Sequence, residues 1–209
     1  MPERVVVSRS RRADTPATRD FTFTPEQVRG LSSAAPLVRD YRAQAWEIFE
    51  SLPLPTTNDE PWRRTDIRTL RAAALRLPDP ALAAGLRNVQ PPDALLQPLA
   101  GEAHGGQIMI TAAGVQVELD PALARQGVIF TDLATAEAQH PELLARVLGQ
   151  VVRADEGKFA ALAGALAQSG VFVYVPRGVQ VEKPLHSIVW GSGIDLAFID
   201  HVLVLVDEG

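Results

Sequence analysis

From Gly170 to the last residue the chain alternates short apolar runs with turn residues and leaves no room for a long helix. Residues 171–175 (Val-Phe-Val-Tyr-Val) lead through a Pro176-Arg177-Gly178 turn into Val179-Gln180-Val181. Further strands are expected at 187–190 and 202–206. The strand starts near 171, 187 and 202 lie about 15 residues apart, a spacing compatible with successive rungs of a strand solenoid. Three starts also suit a sandwich with irregular hairpins, and periodicity alone leaves both open. The sequence ends at Val206-Asp207-Glu208-Gly209, directly after an apolar strand. A stacked coil ending there leaves its last edge uncovered, so the expectation is the front portion of a longer protein.

Upstream the periodicity is helical. Residues 1–23 are polar and aperiodic and read as a disordered tail. Thr24-Pro25-Glu26-Gln27 is a helix start, with Thr24 as N-cap, Pro25 at the first helical position and Gln27 placed to close a capping box. After Pro36, residues Leu37, Val38, Tyr41, Ala45, Ile48, Phe49 and Leu52 form one apolar stripe, with Arg39, Asp40, Arg42 and Glu47 on other faces. Pro53 and Pro55 forbid the helix from continuing. Residues 78–98 are Pro-rich and read as short helices and connectors. Residues 107–111 and 115–119, joined by Ala112-Ala113-Gly114, read as a hairpin, and 128–130 as a third short strand. Asp132 is placed to cap a helix, 141–151 reads as another, and 159–168 as one more, stopped by Ser169-Gly170. The expected organisation is therefore a helical and mixed region over 24–169 and a strand region over 170–209.

Composition narrows the function classes. The 209 residues contain no Cys, which removes disulfides, thiolate zinc sites and cysteine-held iron–sulfur clusters from this chain. A net charge of −5 argues against a general nucleic-acid binder. No apolar stretch reaches the roughly 18 residues of a membrane span. Arg4, Arg9, Arg11, Arg12 and Arg19 lack the apolar segment of a signal peptide, and Glu3, Asp14 and Asp20 interrupt a presequence reading. A cytoplasmic protein is expected. Basic charge is nearly all Arg, the lysines being Lys158 and Lys183, and reads as a coding bias that also supplies Ala.

No catalytic motif survives inspection. His104-Gly105-Gly106-Gln107 runs straight into an apolar strand and reads as a turn opening a hairpin. Glu156-Gly157-Lys158 lacks the upstream glycine of a phosphate loop, and Phe159 stands where Ser or Thr would hold magnesium. His104, His140, His186 and His201 form no local metal pattern. His186 and His201 would meet only on neighbouring rungs, with Asp200 or Asp207 as a third ligand. The expectation is no catalytic and no metal residue. Asp59-Glu60-Pro61-Trp62-Arg63-Arg64-Thr65-Asp66 sets an aromatic beside two guanidinium groups. It suits either docking within the chain, with Thr65 or Asp66 capping a helix, or a partner surface built on Trp62, Arg63 and Arg64.

Residues 59–70 resemble the Glu-x-Trp-Arg-x-Thr motif near the amino terminus of the SufD group. Lys158-Phe159-Ala160-Ala161-Leu162 and 170–185, with its Tyr-Val-Pro-x-Gly-Val-x-Val-x-x-Pro block, are similar to the β-helix entry of the SufB/SufD family of the SUF iron–sulfur cluster assembly scaffold. Residues 201–209 match more loosely. Ala163, where the family often has Asn, and Ser169-Gly170 depart from the pattern at a helix end. The resemblance implies an α+β chain whose amino-terminal region precedes the first rungs of a right-handed parallel β-helix, truncated after 209. It implies a non-catalytic scaffold subunit of a SufBCD-type complex, with a SufB-like paralogue and a SufC-like ATPase as partners of the full-length protein and a cluster only at the level of the complex. No residue here matches the family's late β-helix histidine or its carboxy-terminal helices. Two alternatives stand beside it: a stand-alone interaction module using an open β edge, and a β-helix enzyme such as an acyltransferase. If the chain ends at Gly209, Val202, Leu203, Val204 and Leu205 are expected as an exposed apolar edge that pairs with a second copy.

Overall fold

The computed structural model describes residues 20–31, 33, 35–79, 91–96, 104–191 and 193–209. Helix α1 (Pro25–Gly30) opens as its sequence dictates: Gln27 N–H donates to Thr24 Oγ1 at 3.4 Å, and Thr24 N–H donates to Gln27 Oε1 at 2.8 Å. Helix α2 (Pro36–Ser51) starts on a proline and stops before Pro53. Its buried face carries Val38, Ala45, Trp46 and Phe49, and it packs against α4 (Lys158–Leu166). Gly164 makes that approach possible, since a Cβ there would lie 2.9 Å from Ala45 Cβ and 3.0 Å from the Tyr41 hydroxyl. Between them, α3 (Leu133–Gln139) is capped by Asp132, whose carboxylate accepts from Thr135 N–H at 3.0 Å.

The strands form two three-stranded sheets. In the first, β1 (Gly106–Thr111) is flanked by β2 (Gly114–Leu119) in an antiparallel hairpin and by β5 (Leu185–Trp190) in parallel. In the second, β4 (Ser169–Val175) is flanked by β3 (Ile129–Asp132), antiparallel, and by β6 (Asp200–Val206), parallel. Ile108 and Ile110 pack against Phe130, Val171 and Val173 between the sheets. Phe172 and Leu203 face the other way, into Val38, Leu133, Ala136, Leu144 and Val147. Strand β4 is thus buried on both faces, which is why 171–175 reads as a continuous apolar run.

The chain is mixed α+β, with neither sheet closed. Several expectations need correction. The strands starting near 171 and 187 are not successive rungs of one sheet. Strand β5 pairs with β1, while β4 pairs with β6 at an offset of 31 residues (200 − 169), Ser169 to Asp200. The sheet repeat is therefore about twice the 15-residue spacing expected from a solenoid. Residues 179–181 form no strand; they belong to the loop that carries the chain from one sheet to the other. The helix expected over 141–151 is a single turn, Pro141–Leu144, followed by hydrogen-bonded turns. These reach Gly149, whose φ of +67° ends helical geometry and whose Cβ would strike the Tyr41 ring. Ser169 and Gly170 open β4, and α4 ends three residues earlier. Arg42, assigned to a polar face, is buried.

Of the segment read as a tail, residues 1–19 lie outside the described residues. Phe21 and Phe23 at its end stack at 5.6 Å, and Phe21 meets Phe49 and Phe159. Much of the connector expected over 78–98 is likewise outside, apart from a turn at Asp93–Leu96. Among the described residues no helix is long and apolar enough to cross a membrane.

Candidate functional site

Strands β5 and β6 are the outer strands of their sheets, each hydrogen-bonded to one neighbour among the described residues. Register partners in a sheet share a face. Val202, Val204 and Val206 therefore continue the face of Val171, Val173 and Val175, and Ser187 and Val189 continue that of Ile108 and Ile110. These are the surfaces that meet in the inter-sheet core. Between β5 and β6 they are uncovered: Val202 is 58%, Val204 53%, Val206 63% and Val189 41% exposed. An apolar groove of about 350 Å³ runs along β6 on its helix side, between the strand and Val147, Val151, Val152, Ala160 and Ala163.

The four β6 residues expected at an apolar edge thus divide. Val202 and Val204 point out, whereas Leu203 is 7% exposed within the helix-side core and Leu205 is half-buried. The split is the period-2 alternation of a strand, which treating the run as one unit ignores. Polar bonds clamp both ends of β6: Asp200 accepts from Ser169, and Asp207 takes Arg146 at 2.5 Å and the Tyr174 hydroxyl at 2.6 Å. Those two donors hold the Asp207 carboxyl below its usual range, while burial raises that of Asp200.

Trp62 closes a 3-10 turn, Glu60–Trp62, and is half-buried, with its ring 5.1 Å from that of Phe159 at the start of α4. Arg63 lies in the open, 3.4 Å from Glu60, and Arg64 is exposed. Thr65 and Asp66 cap no helix. Asp66 instead grips Arg68 in a two-bonded fork (3.0 and 2.7 Å), and those bonds pull its pKa to about 2. Trp62 belongs to the cluster around Phe159 and Leu203 to the one around Phe172, so the two expected surfaces rest on different cores.

The histidines do not gather. His186 bonds Gln107 across β1–β5 at 3.1 Å, while His201, on the other sheet, stacks on Tyr41 of α2. Their side chains lie on the outer faces of opposing sheets. Among the described residues no three His, Asp or Glu side chains are grouped to hold a metal. His104-Gly105-Gly106-Gln107 opens β1, with Gly105 N–H donating to Pro184 O at 2.9 Å. The lysine of Glu156-Gly157-Lys158 is a structural pin. It is buried, donates to Phe49 O at 2.8 Å, pairs with Asp20 at 3.0 Å and sits 4.0 Å above the Phe49 ring. Sequence reasoning missed this pin and the buried Arg42–Glu137 pair at 2.9 Å. Nothing local marks either, since their partners lie about a hundred residues away.

Residues 108–186, from β1 to the start of β5, match the family model described as the SufBD protein N-terminal region. The chain is 38% identical over 93 residues to the iron–sulfur cluster assembly protein SufD of Bacillus subtilis, covering 44% of this chain and 21% of that one. It is 37% identical over 87 residues to an iron–sulfur cluster assembly SufBD family protein of Mycobacterium bovis, covering 42% of this chain and 10% of the relative. A Staphylococcus aureus protein of the same description is 31% identical over 91 residues, or 44% and 20% of the two chains. The matched stretch thus spans about a fifth or less of the length of these relatives.

Proposed function

We propose that this chain, whose residues 108–186 match the SufBD N-terminal region model, serves iron–sulfur cluster assembly as a non-catalytic scaffold component of a SufBCD-type complex in the cytoplasm. The observation that carries this reading is where the match falls: it spans β1 to the start of β5 and takes in both sheets' contributions to the shared core. The scaffold holds no cofactor of its own, and the cluster is the cargo of the assembled complex. The partners of the full-length protein are a SufB-like paralogue and a SufC-like ATPase.

The strand order supports reading β4–β6 as the opening lap of a right-handed parallel β-helix. The chain passes from the second sheet (β4) to the first (β5) and back (β6), and both new pairings are parallel. That lap ends on an apolar inner surface, at Val189, Val202, Val204 and Val206, which suits extension by further strands or by a second copy of this chain. Trp62, through its packing on Phe159, orients Arg63 and Arg64 toward solvent as a second, polar contact surface.

Co-expression of the full-length protein with a SufB-like paralogue and a SufC-like ATPase should yield one co-purifying complex, on which added iron and sulfide develop cluster absorbance. The chain treated alone should develop none. Absence of co-purification with either protein overturns the assignment. For the edge, Val204→Lys should leave the unfolding free energy from urea denaturation within about 0.5 kcal/mol of the parent, as exposed positions do. It should also lower the concentration-dependent mass seen by light scattering. A parent that stays monomeric at high concentration removes the second copy as the occupant.

A further inference from the structure

His201 lies on the helix side of β6, with Leu203, and its register partner is Gly170. Its ring stacks on Tyr41 of α2, with centroids 6.4 Å and planes 26° apart. The next residue of α2 is Arg42. That guanidinium is buried, pairs with Glu137 of α3 at 2.9 Å and donates to the Ala167 carbonyl at 3.3 Å, and its Nη1 has no partner. The charge of Arg42 bears on His201, and the carboxylate of Glu137 is already bound to Arg42. The other walls bring no counter-charge: α4 contributes Ala160 and Ala163, and the 147–152 segment contributes valines and Gly149. Asp200 points to the opposite side of the strand, where Ser169 donates to it. Gly170 leaves the backbones of β4 and β6 in close contact at this level.

We propose that His201 is an acid-sensitive latch on the edge strand. Uncharged, it seats the start of β6 between α2 and β4. With a proton added, it places a second cation beside Arg42 and frees that end of the strand. The device rests on geometry internal to the helix side of the second sheet and is independent of the scaffold assignment.

Burial first, and the charge of Arg42 second, hold the His201 pKa below its ordinary 6.5. A depressed value means that the stabilisation is complete above pH 6.5 and is lost as pH falls from there toward the folded-state value. Asp200 acts in the opposite sense. Its pKa is raised above 3.8 by burial, so protonation there removes a cost. The pKa of Asp207 is lowered, so that group gives up its stabilisation only below 3.8. His186 is also depressed, by burial and by His104, but it sits on β5 and serves as the control.

Hydrogen exchange of the segment spanning β6, read by mass spectrometry at about pH 7.5 and about pH 5.5, brackets the imidazole range. After correction for intrinsic exchange, protection in the parent should fall at the lower pH, by up to the roughly tenfold that linkage allows one unit below 6.5. His201→Gln and His201→Phe, the latter keeping the stack on Tyr41, should hold protection level between the two, and His186→Gln should behave as the parent. Level protection in the parent, or an undiminished fall in a folded His201 variant, overturns the latch. Should neither His201 variant fold, the NMR titration of the parent's His201 ring decides. A midpoint clearly below 6.5 supports the latch, and one at or above 6.5 overturns it.

Discussion

Arg42→Ala is expected to cost about 3–5 kcal/mol, because it leaves Glu137 buried without its counter-ion. Arg42 and Glu137 are 7% and 5% exposed, and the pair joins α2 to α3. Arg42 also donates to the carbonyl of Ala167, which follows α4, so one guanidinium holds three elements. Removing both charges is a different experiment. Arg42→Met with Glu137→Leu fills similar volumes with apolar atoms and should recover most of the loss, since a buried pair repays little more than its own desolvation. Urea denaturation of the parent, the two single variants and the double variant gives the coupling directly. A single variant within about 1 kcal/mol of the parent would show that water reaches the pair and would remove it from the core.

Gly170→Ala should be about as damaging, for a backbone reason. A Cβ at this position would collide with the carbonyl of His201 on the neighbouring strand, and a carbonyl in a sheet has no rotamer to change. The strands must separate or β4 must shift, and β4 is buried on both faces. A cost near 3 kcal/mol is expected, the upper range for forcing atoms into a filled site. Gly178→Ala supplies the contrast. Its φ is +74° with open space around it, so only the left-handed conformation is penalised, by about 1–2 kcal/mol. Equal denaturation midpoints for the two variants would show that β6 does not dock at Gly170 as described.

Elements whose cause is local were legible in the sequence. The capping box at Thr24 and Gln27, the stop at Pro53, the β1–β2 hairpin and the Asp132 cap each depend on neighbours within a few residues, and each forms as expected. Partner choice was not legible. The spacing of strands near 171, 187 and 202 states how often the chain turns, and it is silent on whether consecutive strands share a sheet. They do not, and the pairing that matters for β5 is with a strand read as part of a separate region. The same limit hid the buried charges. Helical period sets Arg42 off the apolar stripe, but Glu137 and Ala167 cover that face and bury it. At the candidate edge, composition marked four residues of β6, and only alternation against β4 separates Val202 and Val204 from Leu203 and Leu205.

The parallel pairing of β1 with β5 has a consequence for synthesis. Gly106 meets Leu185, so 79 residues (185 − 106) must be translated after the first strand before its partner exists. At roughly 5–20 residues per second the β1–β2 hairpin waits about 4–16 s with the β5 side of β1 unsatisfied. Nascent chains stalled before Leu185 should therefore engage holdase chaperones through Ile108 and Ile110, and release them once β5 has cleared the ribosomal tunnel.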